Sequence, residues 1–189
     1  MQDVKIAFIG FGNVGQALAR LLLDKQKTLR DRHGIAWRVV GIATGRHGTA
    51  LDSQGIELEK ALDLAGRGVS LSRLSTVETP EDSLDFVRRC GADVLFENTP
   101  VNYQSGQPAI DHIRTALENG MHAITANKGP VVHAFDQLTV LAKEHGKRFF
   151  SYLKGGEVTI EASFPAGVIG TTLENLKTAA EGRVATKEH

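Results

Sequence analysis

The sequence predicts an α/β fold, a doubly wound and mostly parallel sheet of Rossmann-like type with helices on both faces. Three observations carry this expectation. The apolar run Val4-Lys5-Ile6-Ala7-Phe8-Ile9 leads into Gly10-Phe11-Gly12-Asn13-Val14-Gly15, a G-x-G-x-x-G turn that opens a helix. A second apolar strand follows at the spacing of a βαβ unit. Beyond it, strand-like runs alternate with amphipathic helical segments, as in a parallel sheet covered on both sides.

Each glycine of the turn has a physical task. Gly10 lets the chain turn sharply off the strand, Gly12 lets the backbone approach a pyrophosphate, and Gly15 lets helix and strand pack closely. The helix that follows offers free N–H groups and a positive dipole end to that phosphate. Leu18, Leu21, Leu22 and Leu29 form one apolar side of this helix, which His33-Gly34 ends. Residues 36–43 read as the second strand. Glycines at 45, 48, 55, 66 and 68 mark residues 44–80 as loop-rich, with one short helix through Leu58, Ala61, Leu62 and Ala65. Thr79-Pro80-Glu81-Asp82 reads as a helix start, with Thr79 as cap and Pro80 in the first helical position.

The later elements follow the same logic. Asp93-Val94-Leu95-Phe96-Glu97 is a strand, and Asn98-Thr99-Pro100 leaves its carboxyl end. Ala109, Ile110, Ile113, Ala116 and Leu117 share one face of a helix that Asn119-Gly120 stops. His122-Ala123-Ile124-Thr125 is the next strand, and Ala126-Asn127-Lys128-Gly129-Pro130 leads into a helix through Phe135, Leu138, Leu141 and Ala142, ended by Gly146. Residues 148–152 form a last strand. The expected division is residues 1–152 as a dinucleotide-binding domain and residues 153–189 as the start of a second region.

Composition narrows the function classes. Lys plus Arg number 22 and Asp plus Glu number 22, so no net field draws the chain to nucleic acid or an anionic membrane. No apolar run has the ~20 residues of a membrane span, and the start Met1-Gln2-Asp3 leaves no room for a signal peptide, so a cytoplasmic location is expected. Cys90 is the single cysteine, read as a small buried group at a helix end. His112 and His122 read as surface or cap residues, and the histidines show no metal-ligand spacing. The glycine turn lacks the Gly-Lys-Ser/Thr ending of a P-loop, and no G-x-S-x-G elbow occurs.

In such a fold ligands lie beyond the carboxyl ends of the strands. Three clusters fall there: the glycine turn, Asn98-Thr99-Pro100 and Asn127-Lys128. The Lys128 cation suits a cofactor phosphate or a substrate oxygen beside a nicotinamide. After the second strand the chain has Ala43-Thr44-Gly45-Arg46-His47, with no acid to accept from the ribose hydroxyls. Arg46 can pair with a 2′-phosphate, so NADP is expected over NAD.

Together, the glycine turn, Glu97-Asn98-Thr99-Pro100 and above all Gly120-Met121-His122-Ala123-Ile124-Thr125-Ala126-Asn127-Lys128-Gly129-Pro130 resemble homoserine dehydrogenases, over about residues 4–150. That family interconverts L-aspartate 4-semialdehyde and L-homoserine with NAD(P)H, on the route to threonine, methionine and isoleucine. The resemblance implies that Gly10, Gly12, Asn13, Val14 and Gly15 line the pyrophosphate, that Thr99 lies by the nicotinamide ribose, and that Lys128 reaches cofactor and substrate as a catalytic residue. Glu161-Ala162-Ser163-Phe164-Pro165-Ala166-Gly167 is similar to the family's E-A-T-V-x-x-G segment, which implies a monovalent-cation site at Glu161 and Ala166. Most of the family's substrate domain has no counterpart here, so cofactor binding is expected to exceed turnover. A non-enzymatic NADP-binding module, or another dehydrogenase acting on a small semialdehyde or amino acid, stays open beside it. Apolar faces without their closing helices favour self-association, hence a homo-oligomer.

Overall fold

The computed structural model describes residues 1–151. Six strands form one sheet: β1 (Gln2–Ile9), β2 (Ile35–Ala43), β3 (Thr49–Ile56), β4 (Val94–Glu97), β5 (His122–Thr125) and β6 (Phe149–Ser151). Their spatial order is β3-β2-β1-β4-β5-β6, with every neighbouring pair parallel except β2 with β3. Five helices connect them: α1 (Asn13–His33), α2 (Leu58–Gly66), α3 (Ser83–Arg89), α4 (Ala109–Glu118) and α5 (Lys128–Glu144). This is the doubly wound, mostly parallel sheet that the alternation predicts.

Strand periodicity divides the core in two. Along β1, Ala7 and Ile9 face a cluster built with Phe86, Val87, Ile110, Ile113, Leu117 and Leu138 from α3, α4 and α5. The intervening Ile6 and Phe8 face a second cluster with Leu18, Leu22, Leu58 and Ala61 from α1 and α2. The same alternation runs through β4, β5 and β6, where Leu95, Ala123 and Phe149 join the first cluster and Phe96, Ile124 and Phe150 the second. Both faces of the strands are buried, which is why they read as continuous apolar runs. Phe8 stacks on Phe96 at 5.4 Å between ring centroids, tying β1 to β4.

Helix ends follow the glycine signals. Gly34 closes α1 in the left-handed region at φ 67°, its N–H donating to the Arg30 carbonyl at 3.1 Å. Gly120 and Gly146, just past α4 and α5, are left-handed as well. Cys90 is buried at the end of α3, where burial pushes its thiol up from the ordinary range.

Three expectations need correction. Residues 49–56, read as part of a loop-rich stretch, form β3, an antiparallel edge strand whose middle residues Ser53 and Gln54 face solvent. Half-exposed edge strands carry polar residues, which hides them among loops. Secondly, α3 begins at Ser83 and not at Pro80: Asp82 is the cap, its carboxylate accepting from Leu84 N at 2.8 Å and Asp85 N at 2.7 Å. Asp82 therefore wins over Thr79 because it satisfies two orphan amides at once. Thirdly, His112 is no surface or cap residue. It is 1% exposed, inside the α4 face that packs on the sheet.

Candidate functional site

The site is built at the carboxyl ends of β1, β4 and β5. Gly10 follows β1 with φ +86°, a value that L side chains rarely adopt. Its N–H donates to the Ala43 carbonyl at the end of β2, at 2.9 Å. A Cβ on Gly10 would lie 2.5 Å from the Asn98 carbonyl carbon and oxygen and 2.7 Å from Thr99 N. The glycine turn and the Asn98-Thr99 turn are thus pressed backbone against backbone. Gly15 would place a Cβ 2.5 Å from the Gly10 carbonyl oxygen, so it is the close-packing glycine of helix on strand.

Gly12 differs from both. A Cβ built there meets no atom of the described residues within 4 Å. Gly12 is the N-cap of α1 and makes no side-chain cap, and the first turn of α1 holds no acid. Gly12, Asn13 and Val14 are exposed. The helix start therefore presents backbone N–H groups and its positive end to open space, the arrangement that suits a pyrophosphate. The Asn98 side-chain amide nitrogen nearby is buried, with no hydrogen-bond partner among the described residues. These features fit a dinucleotide on this edge.

Across the turn, Asn127 joins two segments. It is 6% exposed and caps α5, its Oδ1 accepting from Gly129 N at 2.9 Å. Its Nδ2 donates to the Thr99 carbonyl at 3.2 Å and reaches the Pro100 carbonyl at 3.5 Å. Lys128 is the next residue, the first of α5, and is exposed. Gly129 is held against Gly106 and the Asn102 carbonyl, where a Cβ would come within 2.8 Å and 3.1 Å. The expected Thr99 and Asn127-Lys128 clusters are therefore one unit.

Beneath that unit lies Glu97, the last residue of β4 and fully buried. Its Oε1 accepts from Thr99 N at 2.9 Å and from the Thr99 hydroxyl, and its Oε2 accepts from the Thr125 hydroxyl at 2.8 Å. Thr125 Oγ1 accepts from Asn127 N at 3.0 Å. His112 places Nδ1 3.9 Å from Glu97 Oε1, while its Nε2 bonds the Ser83 hydroxyl at 2.9 Å. Glu97, Thr125 and His112 have no place among the expected site residues. Their signal in the sequence is slight: one acid closing an apolar strand, and a threonine at the same place on the next.

Arg46 stands apart from these residues, exposed in the turn between β2 and β3. Thr44 closes that turn, its hydroxyl donating to the Gly48 carbonyl at 3.1 Å and accepting from His47 N at 2.6 Å. The turn follows the carboxyl end of β2, whose last residue Ala43 accepts from Gly10. It holds no carboxylate. Glu161 and Ala166, and the region 153–189 as a whole, lie outside the described residues. Among the described residues no group of three or more His, Cys, Asp and Glu is placed to hold a metal ion, and no helix is long and apolar enough to cross a membrane.

Comparison with known proteins agrees with this geometry. The family described as homoserine dehydrogenase, NAD binding domain, matches residues 10–151. The chain belongs to the homoserine dehydrogenase family. It is 34% identical over 144 residues to homoserine dehydrogenase of Methanocaldococcus jannaschii, covering 76% of this chain and 42% of that protein. It is 30% identical over 145 residues to the NAD(+)-dependent homoserine dehydrogenase of Pseudomonas canavaninivorans, covering 76% and 41%. The fold superposes on a hyperthermophilic archaeal homoserine dehydrogenase in complex with NADPH with a TM-score of 0.65 at 26% identity, over 79% of this chain and 44% of that one. The chain thus spans about two fifths of the length of the homoserine dehydrogenases it matches. A shorter alignment of 40 residues is 68% identical to rubrerythrin of Porphyromonas gingivalis, covering 21% of this chain and 20% of that protein.

Proposed function

We propose that this homoserine dehydrogenase family chain binds NADP(H) along the carboxyl ends of β1, β2 and β4, as the cofactor half of an enzyme interconverting L-aspartate 4-semialdehyde and L-homoserine. The observation that carries the reading is the contrast within the glycine turn. Gly10 and Gly15 are closed by packing, whereas Gly12 faces open space at the start of a 21-residue helix. A phosphate at that opening would meet the free amides of the helix start.

The bound cofactor supplies or takes up a hydride, and the chain's own residues position it. Asn13, Val14 and Gly15 offer amides to the pyrophosphate, and Thr99 meets the nicotinamide half. Arg46 pairs with the 2′-phosphate, and the absence of an acid in its turn removes the usual repulsion. Lys128, on the rim of the same edge, holds a substrate oxygen and stabilises charge that develops there. A small-molecule substrate, self-association, a cytoplasmic location and a monovalent cation at Glu161 and Ala166 belong to the same reading, supported by the family resemblance and composition.

A second reading, a cofactor-binding module without turnover of its own, rests on the same strand-end geometry. One experiment separates the two. The purified chain is titrated with NADPH and with NADH by fluorescence, then supplied with NADP and homoserine while reduced nicotinamide is followed by absorbance. Tighter binding of NADPH supports the cofactor assignment, and equal or tighter binding of NADH overturns it. Homoserine-dependent turnover favours the enzyme; binding without turnover favours the module.

A further inference from the structure

Among the described residues Glu97 is the one acid enclosed completely at this edge, and its partners fix the polarity of the group in front of it. Oε1 takes the Thr99 amide at 2.9 Å and also contacts the Thr99 hydroxyl. As a carboxylate Glu97 only accepts, so the Thr99 hydroxyl is the donor in that contact. The Thr125 hydroxyl lies 2.8 Å from Oε2 and 3.0 Å from the Glu97 carbonyl oxygen, its one proton shared between these two acceptors. With its only proton directed inward, Thr99 Oγ1 keeps lone pairs alone for whatever lies outside.

We propose that Glu97 is a positioning residue that turns the Thr99 hydroxyl into an obligate hydrogen-bond acceptor, selecting ligand groups that donate N–H or O–H. Resting on the cofactor reading above, this assigns to Thr99 the carboxamide amine or a ribose hydroxyl of the nicotinamide half. It excludes a phosphate or carboxylate oxygen, which would meet Thr99 lone pair to lone pair. Thr125, Asn127 and the start of α5 hang on the same acid through the Thr125 hydroxyl and Asn127 N. The polarity is thereby kept in register with Lys128.

The test uses the full chain and two probes, NADPH and adenosine 2′,5′-bisphosphate, which lacks the nicotinamide half. Wild-type binding of both is required by the cofactor reading; failure there sinks that reading and not the polarity argument. Given wild-type binding, Glu97→Ala and Thr99→Val each raise the NADPH Kd about five- to tenfold, the loss of one hydrogen bond. Both leave the bisphosphate Kd unchanged, and the double variant is no weaker than either single one. Glu97→Gln, which retains an acceptor oxygen for Thr99, restores NADPH binding.

Equal weakening of both probes by Glu97→Ala marks a merely structural role and overturns the proposal, as do additive losses in the double variant. A second measurement does not depend on the folding of Glu97→Ala. In the wild-type NADPH complex, proton NMR should show a slowly exchanging Thr99 hydroxyl proton that Thr99→Val removes. Its absence overturns the proposal.

Discussion

Gly10 and Asn98 are in backbone contact so close that a single methyl on Gly10 would lie 2.5 Å from the Asn98 carbonyl. Two strand ends, β1 and β4, therefore meet without side chains between them. Gly10 also holds φ +86°, so Gly10→Ala suffers both a clash and an unfavourable backbone. A loss of about 2–4 kcal/mol is expected from urea denaturation. Gly12→Ala meets no atom of the described residues within 4 Å and should cost about 1 kcal/mol or less while sharply weakening NADPH binding. Equal destabilisation by the two would refute the division of labour between these glycines.

Arg46 provides the test of cofactor choice. Arg46→Asp places a carboxylate where the 2′-phosphate is proposed to lie, so NADPH binding should fall and NADH binding should hold or improve. A reversal of about tenfold in the ratio of the two Kd values is the expected size for one charge-assisted contact. An unchanged ratio would move 2′-phosphate recognition elsewhere.

Asn127 should matter to stability as well as to the site. Asn127→Ala removes the α5 cap and the tether to the Thr99 carbonyl together, a loss of about 1–3 kcal/mol. Asn127→Ser keeps a capping oxygen and loses the tether, so it should recover part of that loss. Thermal denaturation of the three proteins gives the order, and a serine variant no better than alanine would show that the cap contributes little.

Stability should also fall on mild acidification through His122. Burial lowers its pKa below the usual 6.5, with Lys147 and Arg148 adding to the effect, and its Nδ1 accepts from Arg148 N at 3.2 Å. The folded state thus resists a proton that the unfolded chain accepts near pH 6.5. Stability is full above that pH and declines as pH falls from about 6.5 toward the lowered folded value. Asp85, held below its ordinary range by the Glu81 amide and Arg89, acts only in a lower window, beneath pH 3.8. Urea midpoints between pH 7 and 5 should drop for wild type and stay flatter for His122→Asn; parallel slopes would exclude His122.

Much of this arrangement was readable in the sequence where the cause was local. Gly34, Gly120 and Gly146 announced helix ends because a left-handed residue is needed there, and apolar runs marked the central strands because both their faces are buried. The glycine turn, Thr99 and Lys128 stood out at strand ends. What escaped depends on distant partners. His112 looks like a helix surface residue until Ser83, 29 positions away, supplies its bond. Glu97 bonds Thr125, 28 positions on, and no periodicity shows that pairing. Strand β3 was lost because an edge strand with one wet face carries the same polar residues and glycines as a loop.

The antiparallel pairing of β3 has a consequence for how this chain can change. Thr49 lies opposite Ala43, so the segment between them is a hairpin tip and not a crossover woven through the sheet. Substitutions in residues 44–48 alter the surface where the adenosine ribose is proposed to lie without disturbing any parallel ladder. Under the proposed cofactor reading, a graft confined to these five residues that keeps the His47 carbonyl on the Leu71 N–H, at 2.6 Å, should exchange the preference.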